Sequence, residues 1–167
     1  MDRIEEMKDF LCDAEKGMLE ERIHMMKAYC KSHENIRQEI VHIIDGVIMN
    51  HQDGCVVISY LRSSYITGSH AFCIAQYMDE PFVEEEPDSM YYSMRALFEG
   101  VEDDCKKLNK LLEGKYIRIM ASEKEEIRRW HMEHIYSELY DVFKLILADT
   151  KYKEICYGGY MDEVRAL

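Results

Sequence analysis

Three residues near the middle of the C-terminal half have the types and spacing for chemistry. His131, His134 and Glu138 fall at i, i+3 and i+7, so on a helix they share one flank. Two imidazoles and a carboxylate on one flank suit a transition metal, and any metal cofactor expected of this chain would sit there. The pattern is not HExxH, and a complete site needs a further ligand from elsewhere, for which His70 and Glu84 are the available residue types. The plainer reading is a pair of boundary histidines hydrogen-bonded to neighbours or water.

A second candidate is the polar run from Arg62 to His70, Arg-Ser-Ser-Tyr-Ile-Thr-Gly-Ser-His. Arg62, Ser64, Thr67 and His70 offer a cation, two hydroxyls and an imidazole to a small anionic ligand. The run has neither the Walker spacing nor GxGxxG, so no nucleotide is specified, and a hairpin loop is the plainer reading. No catalytic residue is assigned. A Cys nucleophile with a His base, such as Cys73 with His70, is disfavoured because residues three apart on a strand point to opposite faces.

Other patterns carry less. His24, His33, His42 and His51 recur every nine residues, but nine steps of ~100° put successive rings on opposite sides of a helix. The acidic segment Asp79–Asp88 lacks the EF-hand order and reads as a solvated edge, or as a patch for a basic partner. The six cysteines are spaced too widely for CxxC and read as reduced thiols. The opening Met-Asp-Arg-Ile-Glu-Glu is acidic and unlike a secretory leader, which makes the cytoplasm the expected compartment.

The elements that must position these residues follow from periodicity. The run Cys55–Arg62 is the most β-like, dominated by Val, Ile and Tyr after an Asp-Gly turn signal, with both faces expected to be covered. A hairpin turn at Gly68-Ser69 leads to a second strand over 70–78, and Phe82–Glu86 is a possible edge strand. Residues 2 to about 31 read as an amphipathic helix, either packed on the domain or extended as an arm for a partner helix. A second helix follows from Ser32 or Asn35 to about 51, on Ile36, Ile40, Ile43, Ile44, Val47 and Ile48. Pro87-Asp88-Ser89 opens a third, Val101 to Leu112 marks a fourth, and Ser122 with Glu125 forms a capping box for a fifth, running to about 148. Tyr116–Met120 alternates and fits either a strand or a helix lead-in. The tail from 151 suits a short strand and turn, or a loose end.

The expected fold is therefore α+β: four or five helices on a small antiparallel meander of three or four strands, behind an N-terminal helical hairpin or arm. One domain spans 1–167, divided into helices (1–52), meander (55–86), helices (88–149) and tail (150–167). The chain has 167 residues, 47% of them hydrophobic and 32% charged, as in soluble globular proteins. A net charge of −12 disfavours nucleic acid and anionic membrane surfaces as partners. With no catalytic motif, and with twelve Met and twelve Tyr, the expected function is a non-enzymatic protein-interaction or regulatory module that self-associates. The alternative is a small metal-binding or anion-binding enzyme using one of the two candidate sites.

Overall fold

The structure is a computed structural model that describes residues 2–48, 54–78, 88–148, 151, 155–159 and 165–167. Heptad-like apolar spacing and a charged outer face make α1 (Arg3–Ser32) a helix of about 45 Å at 1.5 Å per residue. The Ile-rich α2 (Glu34–Ile48) follows after His33. β1 (Cys55–Tyr60) is the expected central strand, buried from Val56 to Ser59. The chain continues through α3 (Arg62–Thr67), β2 (Ala71–Tyr77), β3 (Asp88–Ser93) and a 3₁₀ turn (Arg95–Phe98). α4 (Val101–Lys115), α5 (Ala121–Ile146), β4 (Ile155–Gly159) and β5 (Arg165–Ala166) complete it. The α+β class holds, with five α-helices among the described residues.

The sheet is mixed rather than an antiparallel meander. Its order is β3-β2-β1-β4-β5; β2 pairs antiparallel with β1 and β3, but β4 runs parallel to β1, with Val57 opposite Cys156. A parallel neighbour joined across about a hundred residues leaves no local mark in sequence. β3 occupies the segment expected to open a helix: Ser89-Met-Tyr-Tyr pairs with β2, and the sheet edge overrides the Pro-Asp-Ser cap signal. The edge strand expected at Phe82–Glu86 lies outside the described residues. Between β1 and β2 the hairpin turn is replaced by α3, closed by Gly68 in the left-handed region at φ +69°. Tyr116–Met120 is a loop, with Arg118 at φ +58°. The capping box is displaced by two residues, Glu123 accepting the Met120 N–H at 2.7 Å, so Ser122 lies within the first turn.

Two apolar cores involve the helices, and a smaller cluster of Val57, Ala75 and Tyr77 lies on the other sheet face. α2 and α5 cover one face of the sheet, burying Ile40, Ile44, Val56, Ile58, Phe72, Ile74, Ile135, Leu139 and Phe143, and the second half of α1, packed on α5 and α2, adds Ile23 and Met26 to the same core. Beyond the sheet, the first half of α1 packs with α4 and the start of α5 around Met7, Leu11, Leu108, Leu112 and Ile127. α1 thus belongs to both cores, packed along α5 and α4 rather than standing away from them.

Where the cores meet, Arg22 is 9% exposed. Its Nε donates to Asp104 Oδ2 at 2.8 Å, and its two Nη groups donate to the carbonyls of Glu99 (2.9 Å) and Gly100 (3.0 Å). Gly100 is the N-cap of α4 at φ +84°, and a Cβ there would lie 2.8 Å from Arg22 Nη1. Removing the guanidinium leaves the buried Asp104 carboxylate with only the exposed Lys107 ammonium, at 3.1 Å. Arg22→Ala is therefore expected to cost about 3–5 kcal/mol in urea unfolding. Gly100→Ala should lose about 1–2 kcal/mol from backbone strain alone, with any displacement of Arg22 adding to it. Unchanged unfolding midpoints would contradict the clamp.

Candidate functional site

Helix α5 presents opposite flanks to two different parts of the fold. On the flank facing α1, the structure brings His131 and His134 together, but with Glu15 of α1 and not with Glu138. Both Nδ1 atoms lie on the same oxygen, Glu15 Oε1, at 2.9 and 3.0 Å. A carboxylate can only accept, so each ring donates from Nδ1. His131 is fully buried and Glu15 is 3% exposed, whereas His134 reaches the surface beside Trp130, whose ring it meets edge-on at 5.1 Å. The Nε2 of His131 is buried without a hydrogen-bond partner, a state that costs free energy on the order of 1–3 kcal/mol.

Glu138 is exposed one turn further on. It lines a groove of about 380 Å³ between α1 and α5 with Leu19, Ile23, His24, Lys27 and Asp141. Among the described residues no three His, Cys, Asp or Glu side chains are placed to hold a metal ion, His131, His134 and Glu138 included. The imidazoles pack as hydrogen-bond donors to a carboxylate from another helix. Glu15 carries no motif. Its only sequence signal is a position four after Leu11 and three before Met18, on the edge of the apolar stripe.

The other flank of α5 receives the Arg62–His70 run. Arg128 Nη2 donates to the Tyr65 carbonyl at 2.8 Å while its guanidinium pairs with Glu102 of α4, which holds that carboxyl below its usual range. Tyr65 donates to Glu133 at 3.3 Å. The hydroxyls of the run are used by the backbone: Ser64 Oγ donates to the Ala71 carbonyl (2.8 Å) and Thr67 Oγ1 to the Ser63 carbonyl (2.8 Å). Arg62 and Thr67 are exposed, while Ser64 and His70 are buried, so the four do not form one ligand surface.

His70 goes into the core. It sits at φ +46°, stacks on Phe98 at 4.0 Å between centroids, and shares a 2.9 Å hydrogen bond through Nδ1 with the Tyr136 hydroxyl. Phe72, Tyr60 and Tyr65 surround Tyr136 at 5.2–5.8 Å. Burial disfavours the imidazolium and pulls His70 down to about 4, and the same burial raises Tyr136. The two imidazole regions lie on different flanks of α5, and no described contact joins them.

The thiols divide by environment. Burial pushes Cys30 up to about 11 and Cys105 up to about 12, which leaves both unreactive. Cys12 is exposed, and Cys55, Cys73 and Cys156 are half-buried on the sheet face away from the helices, around Val57, Ala75 and Tyr77.

The depressed His70 makes stability pH-dependent. The unfolded chain takes up its proton near pH 6.5, the folded chain only near 4, so between those values the unfolded state binds more protons. This contribution is complete above about pH 6.5 and is lost as pH falls toward about 4, amounting to roughly 2–3 kcal/mol. Asn tolerates the left-handed backbone and does not titrate. Urea unfolding of wild type should therefore weaken over this window by that amount more than unfolding of His70→Asn. Parallel pH profiles would refute the assignment.

Comparison with protein-family models, with curated proteins and with solved structures finds no match.

Proposed function

We propose that the protein is a non-enzymatic cytoplasmic interaction module that self-associates through the end of the molecule furthest from the sheet. The supporting observation is the α4–α5 loop, which holds Ile117 88% exposed. An exposed isoleucine alone is ordinary. Here Phe10 and Leu111 are exposed at the same end, and Met120 lies in the same loop. Phe10 meets Tyr116 edge-on at 6.0 Å, and Lys115 lies 4.1 Å above the Phe10 ring. Clustered exposed apolar side chains with a charged rim mark contact surfaces.

The loop is held in place before any partner arrives. Arg3 donates to the Arg118 carbonyl at 2.9 Å and pairs with Glu123 at 3.2 Å, and Tyr116 N–H bonds to Leu112 O at 2.8 Å. Little conformational entropy remains to be lost on association.

Charge favours a second copy as the occupant. On the α1 side the rim carries exposed Glu6, Asp9 and Asp13; on the α4 side it carries exposed Lys110, Lys115 and Arg118. A two-fold axis through the apolar centre sets each acidic side against the other copy's basic side. No described helix is long and apolar enough to cross a membrane, and the mixed signs of this rim do not suit an anionic lipid surface.

Sedimentation velocity checks this reading. Wild type should dimerise and Ile117→Glu should be monomeric. Asp9→Lys/Asp13→Lys and Lys110→Glu/Lys115→Glu should each weaken association alone and form a heterodimer when mixed. A wild type that stays monomeric at high micromolar concentration, or a dimer unaffected by these changes, sinks the proposal.

A further inference from the structure

The sheet face turned away from the helices carries a pair of sulfurs in contact. Cys55 Sγ lies 3.3 Å from Cys156 Sγ, the Cys55 thiol donating to its neighbour. The register explains the meeting: Cys156 sits opposite Val57 on the parallel strand β4, and Cys55 is two residues before Val57, so all three side chains share one face. Both thiols are half-buried, around Val57, Ala75 and Tyr77, and so are within reach of a small reagent. They are separated by 101 residues in sequence, so no spacing motif announces them.

We propose that Cys55 and Cys156 are a reversible redox pair, oxidised to a disulfide by a small-molecule disulfide of the glutathione type. One thiol, deprotonated, attacks a sulfur of the oxidant; a protein–glutathione bond forms and one glutathione thiolate leaves. The second thiolate then attacks the protein sulfur of that mixed disulfide, the Cys55–Cys156 bond forms, and the second glutathione leaves. The two cysteine sulfurs lose two electrons in all, the oxidant gains them, and the two cysteine protons end on two glutathione thiols.

Geometry favours reversal. A disulfide needs its two Cα atoms within about 6.8 Å and its sulfurs about 2.05 Å apart. Cys55 is offset by two residues from the in-register partner of Cys156, so closing the bond draws the starts of β1 and β4 together against the sheet spacing. Strained bonds of this kind are the ones that thiols reduce again. Cys55 opens β1 directly after Gly54, which stands at φ +125° with the Tyr77 carbonyl 2.7 Å from where a Cβ would lie. The oxidised form would fasten β4 to β1 covalently, beside the hydrogen-bonded ladder already there.

The test uses the full chain in a Cys12→Ser background, which removes the exposed thiol. Folded protein is equilibrated with reduced and oxidised glutathione at a series of ratios, trapped in acid, alkylated and mapped by mass spectrometry. The expected result is a Cys55–Cys156 disulfide at oxidising ratios, with loss of two alkylation sites, full reversal by reduced glutathione, and a glutathione adduct on Cys156 when Cys55→Ser is used instead. Cys55 and Cys156 remaining alkylatable at every ratio would overturn the proposal. So would a 55–156 bond that forms only in urea, or glutathione adducts on both cysteines without their joining. Circular dichroism of Cys55→Ser, with its far-UV spectrum matching wild type, separates loss of the pair from loss of the fold.

Discussion

A single buried guanidinium sets the arrangement of the helices. Arg22 binds Asp104 at the start of α4 and the carbonyls of Glu99 and Gly100, the end of the 3₁₀ turn that leads out of the sheet. It therefore ties the sheet's exit, the first turn of α4 and the middle of α1 to one point. Seven residues earlier on the same face of α1, Glu15 accepts from His131 and His134 of α5. Apolar stripes tolerate sliding by a turn at modest cost. A buried carboxylate and a buried guanidinium find their partners at one setting only, and at any other are left charged and unsolvated. The two polar contacts fix the register of α1 against both neighbours, and with it the relation of the two cores.

That constraint explains why the chemically suggestive residues are structural in their surroundings. The imidazoles of α5 are occupied by Glu15, and the hydroxyls of the Arg62–His70 run by backbone carbonyls. His70 is taken into an aromatic nest with Phe98 and Tyr136. What remains uncommitted is the exposed distal loop, with Ile117 and its split charge rim, and the half-buried cysteines of the far sheet face. The self-association proposed for the loop and the redox pair proposed for the sheet are independent surfaces on one framework.

Local pattern was enough to identify α1, α2, α5 and the buried strand β1, because each is long or strongly periodic. Pairing was not legible. β4 is five residues long and its partner lies about a hundred residues away, so its parallel placement is decided by the tertiary fold. β3 defeated a sound capping signal because an edge position beside β2 stabilises Met90-Tyr91-Tyr92 more than a helix would. At the candidate site, the i, i+3 spacing of His131 and His134 correctly placed them on one flank. Their partner could not be read: an acidic residue at the margin of an amphipathic stripe is ordinarily solvated, and only the parallel packing of α1 on α5 makes Glu15 an exception. The Cys55–Cys156 contact was hidden for the same reason as β4.

The claim on which the rest depends is that α1 is a fixed member of both cores. Native-state hydrogen exchange measures it residue by residue. The account predicts that the amides from Leu11 to Cys30 exchange only through the same global opening that releases Val56 to Ser59 of β1, with the same free energy. Exchange of that stretch through a separate opening of lower free energy, while β1 stays protected, would contradict it and make α1 a detachable arm.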